Sequence, residues 1–173
     1  MSQTRQSTVD SQLREYVLGA ELHTRILTAA AETEGRHDLT DNVQAPGART
    51  PGHLHTRYEE RFWVVSGLIT VWTEDDTVVL RAGDYYAVPM NVAHAVQAGP
   101  DGARALQISS PAGFAELIAR AGTPANLATP ATQLDPDLFM AVTTELGDVV
   151  LGPPGTTPTD VADRTAAARA GRT

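Results

Sequence analysis

Short apolar segments separated by turn residues make up most of the chain between Tyr16 and Ser109. The segments are rich in valine, isoleucine, leucine and aromatic residues and are bounded by glycine, proline, asparagine or aspartate, which is typical of β-strands. The pattern predicts strands over Tyr16–Leu18, Leu22–Ala29, Asp38–Gln44, Gly52–His55, Arg61–Ser66, Ile69–Glu74, Val78–Arg81, Tyr85–Pro89, His94–Gln97 and Ala103–Ser109. Turns are predicted at 73–77 (TEDDT), 81–84 (RAGD) and 98–102 (AGPDG). So many short strands predict an all-β antiparallel sandwich or barrel rather than alternating strands and helices.

Two helices are predicted after the strands. In the segment 111–122 (PAGFAELIARAG), apolar residues recur at the spacing of one buried helical face, and a glycine ends the pattern. These apolar residues are Phe114, Leu117, Ile118 and Ala121. In the segment 134–147 (LDPDLFMAVTTELG), Asp135 can cap the N-terminus and Pro136 suits the first helical position. We expect both helices to pack against the outside of the sheets.

These patterns divide the chain into four parts. Residues 1–13 are expected to form a polar lead, residues 14–110 the β-domain, residues 111–152 a helical extension packed on it, and residues 153–173 a flexible tail. The tail is rich in proline, glycine, threonine, alanine and arginine. It is expected to be disordered or to hold a short helix near Val161–Ala170.

The residue types that are missing narrow the possible chemistry. All thirteen basic residues are arginine, so Schiff-base chemistry and lysine nucleophiles are excluded. The chain has no cysteine, which excludes disulfides, thiolate metal ligands and cysteine nucleophiles. A metal ion would therefore have to be held by nitrogen and oxygen atoms.

The charge of the chain bears on its partners. The formal net charge of −8 at pH 7 makes nucleic acids and anionic membrane surfaces poor partners. The N-terminal sequence is polar, and no apolar run approaches the length that crosses a membrane. We therefore expect no nucleic-acid partner, no membrane association and a cytoplasmic location.

Four side chains form a candidate metal site. His53 and His55 lie two positions apart on a predicted strand, so their side chains point to the same face. Glu60 follows after room for a bend, and His94 lies in a second, distant segment. If the two segments are neighbouring strands, the three imidazoles and the carboxylate meet on one interior face. Such a ligand set suits a divalent first-row transition metal.

These segments resemble the two sequence motifs of the cupin superfamily. The first motif, G-x5-H-x-H-x(3,4)-E-x6-G, is matched by Gly47, His53, His55, Glu60 and Gly67. The second, G-x5-P-x-G-x2-H-x3-N, is matched by Gly83, Pro89 and His94. Asn91 replaces the central glycine of the second motif, and Ala98 its last asparagine. Asparagine tolerates a positive φ, so we expect the turn at Asn91 to form. Glu59 also fits the spacing from His55, but only Glu60 leaves six residues before Gly67.

The resemblance implies a double-stranded β-helix, or jelly-roll, barrel with the metal inside and the two C-terminal helices packed outside. The order of the motifs and the sequence after them is also similar to single-domain quercetin 2,3-dioxygenases. That similarity implies one divalent metal ion (Fe, Mn, Ni, Co, Cu or Zn) on His53, His55, Glu60 and His94. It also implies O2 as a co-substrate and Glu60 as a general base. The chain has no dinucleotide-binding or phosphate-binding glycine motif, and no organic cofactor is expected.

The resemblance further implies a small, aromatic substrate and a homodimer. Strand alternation places Phe62 on the same face as Glu60, and Ala98 on the same face as His94. Both residues are candidate substrate contacts, with the barrel core as the alternative role. Two other functions stay open: a zinc-dependent non-oxidative enzyme, such as a polyketide cyclase or an isomerase, and a small-molecule-binding protein without activity.

Overall fold

The computed structural model describes residues 14–170, and the predicted polar lead at residues 1–13 lies outside them. The strands are β1 Glu15–Leu18, β2 Leu22–Thr28, β3 Asp38–Gln44, β4 Pro51–His55, β5 Glu59–Thr73, β6 Thr77–Arg81, β7 Tyr85–Val88, β8 His94–Ser110, β9 Thr123–Pro124 and β10 Asp148–Pro154. The helices are α1 Phe114–Ala121, α2 Pro136–Leu146 and α3 Ala162–Ala170. All strand pairs among the described residues are antiparallel, which confirms the predicted β architecture.

The two long strands, β5 and β8, each take part in two layers. In the first layer, the N-terminal half of β5 pairs with β7 and with the C-terminal half of β8. That half of β8 also pairs with β3. In the second layer, the C-terminal half of β5 pairs with β6 and with the N-terminal half of β8. Strand β4 lies beside that half of β8. Strands β2, β1 and β9 extend the first layer beyond β3, and β10 extends the second beyond β4.

The main hydrophobic core takes side chains from both layers. It contains Phe62, Val64, Ile69, Val71, Leu80, Val88, Val96, Ala98, Ala103 and Ala105. Burial of each large apolar side chain contributes roughly 1.5–3 kcal/mol to the free energy of unfolding. The alternation predicted for the strand after Glu60 is confirmed, since Phe62 and Val64 are both buried.

Two glycines bend the long strands where separate strands were predicted. The sequence pattern places a strand end at Gly67 and a turn at 98–102, and both predictions are wrong because β5 and β8 continue through these residues. Gly67 and Gly102 have φ angles of 77° and 79°, which glycine adopts without strain. The two strands also approach closely here, since a Cβ atom on Gly67 would overlap the carbonyl oxygen of Gly102 and lie 2.8 Å from the Cα atom of Ala103.

Helices α1 and α2 pack on each other, and α1 also packs on the first layer whereas α2 contacts β10. Ile118 of α1 is fully buried and contacts the cluster around Ile26 of β2, whereas Val142 of α2 packs with Leu117 of α1. Asp135 caps α2 as predicted, because its side chain accepts hydrogen bonds from the N–H groups of the first turn. The N-terminal N–H groups of α1 bind the carboxylate of Asp38, a residue of β3, at 2.7 and 3.1 Å.

The described part of the chain contains three helices, and the third, α3, lies where the sequence allowed a short helix near Val161–Ala170. The sequence of α3, ADRTAAARA, favours a helix through its alanine and arginine content but has no continuous apolar stripe. The helix is anchored by the buried side chains of Val161 and Thr165 and by a 2.7 Å hydrogen bond from Arg164 to the carbonyl of Leu151. None of the described helices is long or apolar enough to cross a membrane.

The glycine bends can be tested with a matched pair of substitutions. Gly67→Ala introduces both an unfavourable φ and a clash with the opposite backbone, whereas Gly35→Ala introduces the unfavourable φ alone. Gly35 has a φ of 76°, and a Cβ atom there would meet no described atom within 4 Å. We expect Gly35→Ala to cost about 1–2 kcal/mol and Gly67→Ala to cost about 1–3 kcal/mol more. Equal melting temperatures of the two variants in thermal unfolding would contradict this account of the bend.

Candidate metal centre

The four predicted side chains meet at one buried point. His53 and His55 come from β4, Glu60 from the start of β5, and His94 from the start of β8. His53 pairs directly with His94 across β4 and β8, as the prediction of neighbouring strands requires. One ligand atom from each of the four residues lies within 4.8 Å of the others. His55, Glu60 and His94 are buried, and His53 is partly buried.

The hydrogen bonds of the imidazoles fix which nitrogen faces the centre. The Nδ1 atom of His53 lies 2.8 Å from the carbonyl oxygen of Pro51, and that of His94 lies 3.0 Å from the carbonyl oxygen of Val92. The Nδ1 atom of His55 lies 2.8 Å from Oδ1 of Asp148. Carbonyl and carboxylate oxygens only accept hydrogen bonds, so each Nδ1 atom carries the hydrogen. The Nε2 atoms are left as the ligand atoms.

The contacts of these Nε2 atoms fit a cation at the centre. The two carboxylate oxygens of Glu60 lie 3.2 Å from Nε2 of His55 and 3.2 Å from Nε2 of His94. The buried Nε2 of His55 has no hydrogen bond of acceptable geometry among the described residues. A nitrogen lone pair and a carboxylate oxygen attract each other only with a positive charge between them. A proton can supply that charge, and so can a divalent metal ion, which this donor set suits.

The buried charges shift the ionisation of the cluster. Burial raises the pKa of Glu60, but His55 and His94 outweigh that effect and hold the pKa well below its usual range. Burial also lowers the pKa of His55, yet the carboxylates of Glu60 and Asp148 outweigh it and raise the pKa to about 9. Burial and the neighbouring imidazoles keep the pKa of His53 well below its usual range. Glu60 and His55 therefore each favour the charged form of the other.

A buried chain of polar side chains, which the sequence pattern did not predict, holds Glu60. Gln107 donates a 2.7 Å hydrogen bond from Nε2 to Oε1 of Glu60. Asn42 donates to Gln107 at 2.9 Å, and Thr24 donates to Asn42 at 2.9 Å. All three polar residues are buried. Strand alternation could have identified Gln107, because it shares a face with the small, inward-facing Ala103 and Ala105.

Asp148 and Tyr58 form a second group that sequence reasoning missed. Besides binding His55, Asp148 accepts a 3.0 Å hydrogen bond from the hydroxyl of Tyr58. The Tyr58 ring stacks on His55 with a centroid distance of 4.2 Å and an interplanar angle of 25°. Asp148 opens β10 and lies opposite His55 across the β10–β4 pair. No local sequence signal links these residues, because Asp148 and His55 are 93 positions apart.

The other candidate residues take different places. The side chain of Glu59 accepts a 2.8 Å hydrogen bond from Arg61, away from the cluster. Phe62 is buried and borders the cavity described below. Ala98 is buried within the main core. Asn91 has a φ of 64°, which confirms that it takes the positive-φ position of the turn before His94.

A cavity of about 380 Å³ opens onto the cluster. His53, His55 and Glu60 form part of its wall. Its apolar walls include Phe62, Val96, Phe114, Leu117, Leu134 and Phe139. Asn42, Gln44 and Gln107 add amide groups. Helices α1 and α2 therefore border the cavity as well as packing on the sheet, which extends the predicted role of these helices.

The ligand set can be tested by metal analysis. We expect His94→Ala to lose most of the metal from the purified protein, because it removes one of four donors from the centre of the cluster. His37→Ala is the matched control, since His37 lies outside the cluster. Metal content is measured by elemental analysis after expression without added metal. Full metal retention in His94→Ala would refute the assignment.

Comparisons with known proteins agree with this fold. Residues 43–108 match the family described as Cupin domain. The chain is also similar to the quercetin 2,3-dioxygenase of Bacillus subtilis (strain 168), with 33% identity over 76 residues that cover 44% of this chain and 22% of the relative. It is 30% identical to the quercetin 2,3-dioxygenase of Aspergillus japonicus over 131 residues, which cover 70% of this chain and 34% of the relative. The chain thus spans about a third or less of the length of these relatives.

Solved structures agree with the same architecture. An RmlC-like cupin from Shewanella frigidimarina superposes with a TM-score of 0.52 and 25% identity, covering 64% of this chain and 95% of that chain. An ectoine synthase from P. lautus superposes over 90% of this chain and 93% of its own, with a TM-score of 0.53 and 15% identity, which concerns the fold alone. The motifs, the antiparallel fold and these matches together make the chain a cupin-domain protein with distant similarity to quercetin 2,3-dioxygenases.

Proposed function

We propose that this protein is a metal-dependent dioxygenase that cleaves a flavonol-like, enol or dicarbonyl substrate with O2. The observation that carries the proposal is the position of the largely apolar cavity, which borders directly on three of the four candidate metal ligands. His53, His55, Glu60 and His94 would hold one divalent transition metal ion. When bound, that ion would acidify an enol or phenol hydroxyl and keep the resulting anion beside O2.

The cavity suits a flat, mostly apolar substrate. Phe62, Phe114 and Phe139 contribute aromatic rings to its walls, and ring stacking or edge contacts with an aromatic substrate would stabilise the complex. The volume of about 380 Å³ lies within the usual range for small-molecule sites. The amides of Asn42 and Gln44 offer neutral hydrogen-bonding groups for substrate hydroxyls.

We assign the uptake of the substrate proton to Glu60. Its carboxylate borders the cavity, and the Gln107 amide holds Oε1 at 2.7 Å. A proton transferred from the substrate hydroxyl would reside on a carboxylate oxygen of Glu60. The substrate anion would supply the electrons, and both oxygen atoms of O2 would enter the products. The reaction therefore needs no nicotinamide or flavin.

Oxygen consumption tests this function. Protein loaded separately with Fe, Mn, Ni, Co, Cu or Zn is assayed in an oxygen electrode with a panel of flavonols and β-diketones. We expect O2 uptake with at least one metal, and Glu60→Gln should lose most of it because the amide is a weaker metal ligand and cannot accept the substrate proton. Glu59→Gln is the matched control and should keep the parent rate, since Glu59 is paired with Arg61 outside the cluster.

Other outcomes would favour the alternative functions. Tightly held zinc without O2 uptake would favour a non-oxidative cyclase or isomerase, in which the metal polarises a carbonyl. Substrate binding without turnover that persists in Glu60→Ala would favour a non-enzymatic binding protein.

The amide chain gives a separate prediction on the rate. Gln107→Leu removes the hydrogen bond to the Glu60 carboxylate, and a hydrogen bond to a charged group is worth about 1.5–3 kcal/mol. We expect kcat to fall by roughly 10- to 100-fold while the metal content stays close to that of the parent. Gln97→Leu, which changes the partly buried Gln97 of β8 instead, should leave kcat unchanged. Equal rates for Gln107→Leu and the parent would contradict a role of Gln107 in holding Glu60.

A further inference from the structure

Asp148 occupies an unusual place relative to the metal centre. It lies outside residues 43–108, which match the cupin family, and it directly follows Gly147, the left-handed residue that ends α2. Its side chain is buried, and both carboxylate oxygens are used. Oδ1 binds the Nδ1–H group of His55 at 2.8 Å, and Oδ2 accepts the Tyr58 hydroxyl at 3.0 Å.

The three candidate histidine ligands differ in what orients them. His53 and His94 bond to carbonyl groups two residues earlier on their own segments, so the local backbone fixes each ring. His55 depends instead on a side chain 93 positions later in the chain. A carboxylate on the far nitrogen of a ligating imidazole fixes its tautomer and ring orientation and makes it a better donor. The C-terminal segment therefore completes a site whose ligands all lie in the cupin core.

The junction between α2 and β10, at Gly147 and Asp148, also connects the metal centre to the helical wall of the cavity. The carbonyl of Gly147 accepts a 3.2 Å hydrogen bond from the N–H of Thr56, and Arg57 donates to the carbonyl of Glu145 at 2.9 Å. The last turn of α2 is thus held on the two residues that follow His55. Farther along α2, Phe139 and Thr143 border the cavity.

We propose that Asp148 is a positioning residue that orients His55 for the metal ion, and that it thereby links metal binding to the docking of α2 over the cavity. The inference rests on the metal centre of the proposed function but not on the reaction. Metal affinity and α2 dynamics test it without a substrate.

The experiment compares Co(II) affinity across a set of variants of the full chain. Dissociation constants are measured by competition with a chromophoric chelator, and the visible spectrum of bound Co(II) reports ligand geometry. We expect Asp148→Ala to weaken binding by about 10- to 100-fold and to change the spectrum. Asp148→Asn should lose less affinity, because its carbonyl oxygen can still accept from His55, and Tyr58→Phe should lose least.

A matched control separates positioning from general stability. Asp41→Asn removes another buried carboxylate, on β3, which is bonded to Arg25 of β2 and Arg104 of β8 and is not part of the ligand cluster. We expect this variant to unfold at a lower temperature than the parent but to bind Co(II) with the parent affinity. Equal losses of affinity in Asp41→Asn and Asp148→Asn would overturn the positioning role.

Hydrogen exchange tests the link to α2. Co(II) should slow amide exchange in α2 of the parent, and the slowing should be reduced in Asp148→Asn. Parent-like affinity, spectrum and α2 protection in both Asp148 variants would overturn the inference, even with O2 uptake intact. Absence of O2 uptake with every substrate, together with the expected affinity pattern, would instead reject the dioxygenase reaction and keep the positioning role.

Discussion

The buried carboxylate of Glu60 imposes the constraint on which the surrounding structure depends. Removing such a group from water costs several kcal/mol unless charged and hydrogen-bonding partners replace the solvent. Here the partners are two imidazole nitrogens at 3.2 Å and the Gln107 amide at 2.7 Å. Each of these partners is itself buried and needs a partner of its own. The polar network consequently extends outward through the β-structure from one carboxylate.

That network explains why polar residues occupy inward-facing strand positions. Asn42 and Thr24 satisfy Gln107 on one side of the cluster, and Asp148 and Tyr58 satisfy His55 on the other. The buried charges of the cluster also compensate each other. The pKa of His55 is raised by the Glu60 carboxylate, and the pKa of Glu60 is lowered by the His55 imidazole. A bound divalent cation would compensate the charge of the Glu60 carboxylate instead, and the same nitrogen and oxygen atoms would be its ligands.

The location of the cavity depends on both the cupin core and the C-terminal segment. Strands β4, β5 and β8 position the candidate ligands, and the bends at Gly67 and Gly102 allow β5 and β8 to serve both layers. Helices α1 and α2, which follow the region matched to the cupin family, contribute much of the apolar wall. A shared core can therefore present the same donors to different substrates, because the walls come from sequence outside it.

The sequence alone determined the strand-rich architecture and the caps of α2, because these features follow from local periodicity and spacing, and its resemblance to the cupin motifs identified the four candidate ligands. Side chains two positions apart on a strand share a face, and an asparagine such as Asn91 tolerates a positive φ. The local sequence pattern could not show that a glycine bends a strand instead of ending it. That outcome depends on the opposite strand, as the contact between Gly67 and Gly102 demonstrates.

The tertiary structure alone decided which distant groups complete the centre. Asp148 reaches His55 only because β10 pairs with β4, and Gln107 reaches Glu60 only because β8 lies beside β5. Hydrogen bonds between residues far apart in sequence leave no periodic trace, since they are created by the pairing of strands. The candidate metal ligands could therefore be predicted from the two motifs, whereas the residues that orient them and enclose the cavity could be identified only from the folded structure.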